Sequence, residues 1–84
     1  KKRIDMPPEK KQAVMASLAK ALKALKPIEI SELDGIRAVF KDGWILLRPS
    51  GTEPKLKIVV EGESDKSAKK LFNDAMDIVK GVLN

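Results

Sequence analysis

The sequence predicts a small α+β domain in which two helices pack on one face of a four-stranded antiparallel sheet. Two observations predict this fold class. Apolar residues recur every three or four positions near both ends of the chain, as in amphipathic helices, and they alternate with polar residues between positions 28 and 61, as in strands. Because 84 residues suffice for only one domain, we predict a single domain over residues 1–84.

The first helix is predicted over positions 9–26. Prolines at positions 7 and 8 suit the start of a helix, and Glu9 lies at the positive end of its dipole. Pro27 ends the helix because proline cannot continue it. Its predicted apolar face consists of Val14, Met15, Leu18, Ala21, Leu22 and Leu25. Residues 2–6 leave room for an extra short N-terminal strand.

Four short strands are predicted at positions 28–33, 36–40, 44–47 and 55–61, in the order of an antiparallel meander. The dipeptide Asp34-Gly35 suits a two-residue hairpin turn between the first two strands. The segment 41–43, Lys-Asp-Gly, makes the next reversal. In the fourth strand, Leu56, Ile58 and Val60 point inward, and Gly62 ends the strand pattern.

The second helix is predicted from Ser64 to about Leu83. Ser64 and Asp65 supply an N-cap and an acidic first turn. The apolar face consists of Ala68, Leu71, Phe72, Ala75, Ile78, Val79 and Val82, while charged residues occupy the opposite face. This helix and the first one are therefore expected to cover the same face of the sheet.

Composition excludes several classes of enzyme. The chain contains no cysteine and no histidine, so a Ser-His-Asp or Cys-His catalytic site and a histidine or cysteine zinc site are excluded. The net charge of +5 comes mainly from lysine, and only three aromatic residues are present, so a base-stacking platform for nucleic acid is not expected. No apolar run is long enough for a membrane span.

The segment from Arg48 to Lys55, Arg-Pro-Ser-Gly-Thr-Glu-Pro-Lys, connects the third and fourth predicted strands and is too long for a simple hairpin turn. Prolines stiffen both of its ends. Gly51 permits unusual dihedral angles or a close backbone approach, and Ser50 and Thr52 place hydroxyl groups beside three consecutive backbone N–H groups. The loop is thus expected to form a concave set of hydrogen-bond donors.

Basic residues flank this donor set. Arg48 brings a planar fork suited to two oxygens of one anion, and Lys55 and Lys57 add positive charge on the outgoing strand. This composition suits a phosphate-binding loop. The residues alone leave open an ordinary turn in which the hydroxyl groups of the loop bond its own backbone.

The same residues resemble a known family. The loop 48–55, preceded by Asp-Gly-Trp-Ile-Leu-Leu at 42–47 and followed by Leu-Lys-Ile-Val-Val-Glu-Gly at 56–62, is similar to the C-terminal domain of the α-D-phosphohexomutases, most of all their archaeal or bacterial members. That superfamily includes phosphoglucomutase, phosphomannomutase and phosphoglucosamine mutase. The match in helix and strand pattern extends over nearly the whole chain.

The resemblance implies a four-domain enzyme that interconverts hexose 1-phosphate and hexose 6-phosphate through a phosphoserine and a bisphosphorylated sugar. The other three domains would hold the phosphoserine, the sugar-recognition loop and magnesium, so no catalytic residue, metal ligand or cofactor is expected in these 84 residues and the isolated domain is expected to be inactive. The chain, which begins with lysine rather than methionine, is interpreted as a piece of this longer protein. A fold related to the TATA-binding protein is implied for it.

The resemblance also implies the contacts of the bound phosphosugar. Arg48, Ser50, the N–H group of Gly51, and Thr52 correspond to the family's contacts with the phosphate group that is not being transferred. Lys57 lies where some relatives have an arginine that also reaches the phosphate. Lysine keeps the charge there but lacks the planar fork.

Two other kinds of function stay open at this point. A nucleic-acid-binding module of similar fold would use lysines on an open sheet face, and a pure interaction module would show no response of the loop to anions. The leading prediction is a phosphosugar-binding domain whose partners are the other three domains of a cytoplasmic enzyme, with neither nucleic acid nor membrane as a partner.

Overall fold

The structure, a computed structural model, describes residues 2–83 and has the α+β architecture that the sequence predicts. Within residues 2–83, five strands, one short 3₁₀ turn and two α-helices follow one another. Their bounds are β1 Lys2–Asp5, the 3₁₀ turn Pro8–Lys10, α1 Lys11–Ala24, β2 Glu29–Ser31, β3 Ile36–Phe40, β4 Gly43–Pro49, β5 Lys55–Gly62 and α2 Asp65–Leu83.

The sheet has five strands in the order β1-β5-β4-β3-β2, and all neighbours are antiparallel. The predicted count of four strands is wrong, because the segment for which the sequence left room forms β1 at the edge beside β5. This strand is short and mostly exposed, so it has no marked alternation of apolar and polar residues. Its pairing partner begins 50 residues further along the chain, at Lys55, which no local pattern indicates.

Both helices cover one face of the sheet, as predicted. The fully buried core joins Leu18 and Leu22 of α1, Val79 of α2 and the inward residues of the central strands, Ile45, Leu47, Leu56 and Ile58. The opposite sheet face carries the alternate residues of the same strands and is not covered by any element of residues 2–83. The helices thus cover one face of the sheet and leave the other face open.

The helix boundaries differ slightly from the prediction. Residues 8–10 form a 3₁₀ turn, so α1 begins at Lys11 rather than at position 9. It ends at Ala24, and Lys26 adopts a left-handed conformation with φ 57° immediately before Pro27. Leu25, predicted on the apolar face, is 40% exposed because it lies beyond the last helical turn.

The start of α2 confirms the predicted N-cap. The Ser67 N–H donates to Ser64 Oγ at 3.1 Å, and the Ser64 N–H donates to Ser67 Oγ at 3.0 Å. This reciprocal pair satisfies two backbone donors at the start of the helix. Within residues 2–83, no helix has both the length and the apolar character needed to cross a membrane.

The connection between β2 and β3 differs from the predicted two-residue hairpin. β2 ends at Ser31, so the loop covers residues 32–35, and the first cross-strand pair beyond it is Ser31 with Arg37. Ser31 Oγ accepts the Leu33 N–H at 3.4 Å, and Gly35 has φ +75°. A polar side chain that bonds the loop backbone therefore competes with strand pairing here.

Candidate functional site

The loop that the sequence predicts as a set of hydrogen-bond donors connects β4 and β5 at one end of the sheet. Pro49 and Leu56 form the last cross-strand pair, and the Ser50 N–H donates to the Lys55 carbonyl at 2.9 Å beyond it. Residues 51–54 project past this bond. The loop is therefore held at its base by two central strands of the sheet.

Inside the loop, the Ser50 hydroxyl organises the backbone. Its oxygen accepts the N–H groups of Thr52 at 3.4 Å and of Glu53 at 3.3 Å, and the Lys55 N–H donates to the Glu53 carbonyl at 2.8 Å. The Gly51 N–H has no acceptor among residues 2–83. Of the three consecutive N–H groups predicted as donors, two thus donate to acceptors within the loop or at its base, and that of Gly51 remains available to a ligand.

The strand β1 anchors the loop from the other side. The Met6 N–H donates to the Pro54 carbonyl at 2.8 Å, and Lys55 Nζ lies 2.6 Å from Asp5 Oδ1. The hydrogen bond and the charge of Asp5 raise the pKa of Lys55, and the same contact with Lys55 lowers the pKa of Asp5. The loop is therefore attached to an edge strand that the sequence alone barely indicates.

A cavity of about 150 Å³ opens between this loop and the open face of the sheet. Its lining consists of Arg3, Arg48, Pro49, Ser50, Gly51, Lys55 and Lys57. Four of these seven residues are basic, so the cavity is a strongly positive concave surface. Its volume is below the roughly 300 Å³ of pockets that enclose whole small molecules, and it suits a single anionic group.

The structure brings together most of the residues that the sequence singled out. Arg48, Ser50, Gly51 and Lys57 line the cavity. Thr52 does not line it; together with Ser50 and Gly51, it lines a neighbouring groove of about 330 Å³ on the side of the loop that faces the 3₁₀ turn. The predicted set is therefore divided between the two sides of the loop.

Two further residues of this site were missed. Arg3 lines the cavity from β1. Asp34 forms an ion pair with Arg48, in which Arg48 Nε lies 3.3 Å from Asp34 Oδ1 and the side-chain exposures are 51% and 74%. The sequence placed Asp34 in a turn, which the loop 32–35 confirms, but offered no signal that its carboxylate faces Arg48. Arg3 gave no signal either, since its position depends on the pairing of β1 with β5.

Three other residues of the open sheet face, Arg37, Trp44 and Glu61, contact one another. The Trp44 ring lies under the Arg37 guanidinium, 5.2 Å from ring centroid to Cζ, and its Nε1 donates to Glu61 at 3.1 Å. Trp44 is half-buried on the sheet. In the part of the chain that the structure describes, no three carboxylate side chains lie close enough together to hold a metal ion.

Comparison with known proteins gives one consistent match. Residues 2–78 match the family described as "Phosphoglucomutase/phosphomannomutase, C-terminal domain". A probable phosphoglucosamine mutase of Methanopyrus kandleri is 40% identical over 77 residues, covering 92% of this chain and 17% of the relative. The phosphoglucosamine mutase of Methanococcus aeolicus is 37% identical over 84 residues, covering 100% of this chain and 19% of the relative.

A third relative, a probable phosphoglucosamine mutase of Thermococcus gammatolerans, is 42% identical over 79 residues, which is 93% of this chain and 18% of the relative. The chain thus spans less than a fifth of the length of each of these proteins.

Proposed function

The chain belongs to the C-terminal domain family of the phosphoglucomutases and phosphomannomutases, and from this membership we propose that its β4–β5 loop binds the phosphate group of a phosphosugar. The proposed contacts are Arg48, Ser50, Gly51, Thr52 and Lys57. The observation that supports this proposal is the small cationic cavity, in which Arg48 and Lys57 meet the hydroxyl and backbone donors of the loop.

The chemistry of the donors suits a phosphate dianion. Both lone pairs of the Ser50 oxygen face the N–H groups of Thr52 and Glu53, so its O–H is left to donate to a ligand oxygen. The Nε atom of Arg48 is the one that lies next to Asp34 in their ion pair. The terminal N–H groups of the guanidinium are therefore left for the ligand. The Gly51 N–H completes a set of three donors of different kinds.

Gly51 also leaves room for the ligand. A Cβ atom built at this position has no heavy atom within 4 Å, so no packing constraint requires glycine there. A close approach of an anion to the backbone would supply the reason for glycine. Thr52 faces the neighbouring groove, and its hydroxyl reaches the same phosphate only if the loop closes around the ligand.

We propose that the parent enzyme is a phosphohexomutase that interconverts hexose 1-phosphate and hexose 6-phosphate in the cytoplasm. The names of its relatives favour glucosamine phosphate as the substrate. The family resemblance assigns the phosphoserine and the magnesium ion to the other three domains of the parent enzyme. The isolated domain is therefore expected to have no mutase activity.

The domain would then contribute binding and orientation. In a reaction that passes through a bisphosphorylated sugar, either phosphate must fit the same site. A cavity that recognises charge and tetrahedral oxygens, and that is too small for the sugar ring, meets this requirement. Holding one phosphate fixes the position of the other relative to the reacting groups, which is how orientation lowers a barrier.

The proposal is tested by titrating the chain with inorganic phosphate and with glucosamine 6-phosphate while backbone amide shifts are followed by NMR. Shifts are expected first at Ser50, Gly51 and Thr52. Arg48→Ala removes a charge-assisted donor worth about 1.5–3 kcal/mol, so binding is expected to weaken about 10- to 150-fold.

The matched control is Arg37→Ala, which removes an exposed arginine from the same sheet face but away from the cavity. It should leave the affinity for phosphate nearly unchanged. Shifts spread over the helical lysines with none in the loop would contradict the proposal. Strong, salt-dependent binding of DNA with no loop response to phosphate would favour the nucleic-acid-binding alternative instead.

A further inference from the structure

Three basic residues form a row across neighbouring strands on the open face of the sheet. Arg3 of β1 pairs with Lys57 of β5, and Lys57 pairs with Arg48 of β4. Directly opposed residues of an antiparallel pair lie on the same face with their Cβ atoms about 5 Å apart. The pairing register therefore places these three cations side by side, and all three line the same cavity.

Such a row is unfavourable without a compensating anion, because like charges facing each other on adjacent strands destabilise a sheet. Among the basic residues that line the cavity, Arg48 forms an ion pair with Asp34, and Lys55 forms one with Asp5. Arg3 has no ion-pair partner among residues 2–83. Its side chain is exposed and extends over a cavity that is already positive.

Arg3 also lies close enough to Lys55 for its charge to affect the pKa of the Lys55 ammonium group. Asp5 raises the pKa of Lys55, and the Arg3 guanidinium acts in the opposite direction, as expected for two like charges that are close together. Arg3 therefore belongs to the electrostatic environment of the loop although it is 45 or more residues away from it in the sequence.

We propose that Arg3 is an additional ligand-binding residue of the phosphate site, held opposite Lys57 by the pairing of β1 with β5. It would bind an oxygen of the phosphate dianion on the side of the cavity away from Arg48. This inference rests on the proposed function of the loop. It adds β1 to the binding site, so that the site spans three strands rather than one loop and its two flanking strands.

Two contacts, one made by β1 and one by the residue that follows it, keep Arg3 at this position. The Met6 N–H bonds the Pro54 carbonyl in the loop, and Asp5 bonds Lys55 at the start of β5. Both contacts connect β1 to the loop that supplies the other donors. A ligand held by Arg3 and by the loop is therefore expected to increase the protection of the β1 amides against hydrogen exchange.

The test compares Arg3→Met with Lys2→Met, using inorganic phosphate as the probe and loop amide shifts as the readout. The two substitutions remove one positive charge each from adjacent residues of β1, but Lys2 pairs with Ile58 and points to the other face of the sheet. Arg3→Met is expected to weaken phosphate binding about three- to tenfold at low salt, with a smaller effect at high salt. Lys2→Met should change the affinity less than twofold.

A third variant separates charge from strand docking. Arg3→Lys keeps the charge and should retain most of the affinity that Arg3→Met loses. Protection of the Met6 amide shows whether β1 is still paired in each variant. Equal affinities of Arg3→Met and Lys2→Met, with a normal loop response to phosphate, would overturn the inference while leaving the proposed function intact. Absence of any loop response in the unsubstituted chain would overturn both.

Discussion

Replacing Gly62 with alanine is expected to destabilise the domain, because the end of β5 approaches the first turn of α2 too closely for a methyl group. A Cβ atom at Gly62 would lie 2.3 Å from the Ala68 backbone nitrogen and 2.6 Å from Ser67 Oγ. Both atoms are held in place, since the Ala68 N–H bonds the Ser64 carbonyl and Ser67 is part of the helix cap.

The size of the effect follows from the movement that alanine requires. Ordinary contacts between heavy atoms begin at about 3.5 Å, so the first turn of α2 must move by roughly 1 Å. Overpacking of this kind costs about 1–3 kcal/mol of the free energy of unfolding. For a domain of this size, each kcal/mol lowers the melting temperature by about 4–8 °C. We therefore expect the melting temperature to fall by about 5–20 °C.

The assay is thermal and urea unfolding followed by circular dichroism, with Gly81→Ala as the matched control. Gly81 lies in the last turn of the same helix, and a Cβ atom there meets nothing within 4 Å. Because alanine favours the helix over glycine by about 0.5–1 kcal/mol, this variant should be as stable as the unsubstituted chain or slightly more so. Equal melting temperatures for the two variants would refute the reasoning.

Two further predictions concern the charges around the loop. Asp34→Asn removes a negative charge beside Arg48, so the affinity for inorganic phosphate measured by NMR titration should rise about two- to fivefold; a decrease would mean that Asp34 positions the guanidinium instead. Lys55 lowers the pKa of Asp5, so the stability contributed by this pair is present above the ordinary carboxyl value and is lost as the pH falls through the lowered value. The pKa of the Asp5 carboxyl group, followed by the ¹³C shift of its carboxyl carbon, should lie below the ordinary value for aspartate and return toward that value in Lys55→Met; an identical pKa in both chains would contradict the pairing.

The helices show how far local pattern extends in this protein. The buried residues Val14, Leu18 and Leu22 of α1 lie at the predicted spacing, because the period of an amphipathic helix depends only on neighbours within one or two turns. The cap of α2 at Ser64 is local for the same reason. The error at Leu25 arises where Pro27 ends the helix earlier than the apolar period suggests.

The sheet shows where local pattern ends. The β3–β4 reversal occurs where predicted, since Phe40 and Gly43 pair across a two-residue turn. The β2–β3 turn does not, because the Ser31 side chain bonds the loop backbone and β2 stops early. For β1, the sequence predicts only that an extra short strand is possible, since four mostly exposed residues have little alternation from which to infer a strand.

In the candidate site too, some features follow from a short sequence motif and others depend on the folded structure. Arg48, Ser50, Gly51 and Lys57 lie within ten positions of one another, so a short motif contains them, and resemblance to a known family could be inferred from that motif alone. The match of residues 2–78 to the family confirms the resemblance. The motif does not indicate which N–H groups of the loop are available, because that depends on how the Ser50 hydroxyl bonds the backbone.

The amino-acid sequence by itself determined the α+β class, the two helix faces, the loop and the family, because each of these follows from residues that are near one another in the chain. Only the tertiary structure decided that the sheet has five strands, that Asp34 faces Arg48 and that Arg3 lines the cavity. These contacts join segments 14 to more than 40 positions apart. They form because strand pairing at a sheet edge satisfies backbone hydrogen bonds wherever the chain returns, which no local pattern specifies.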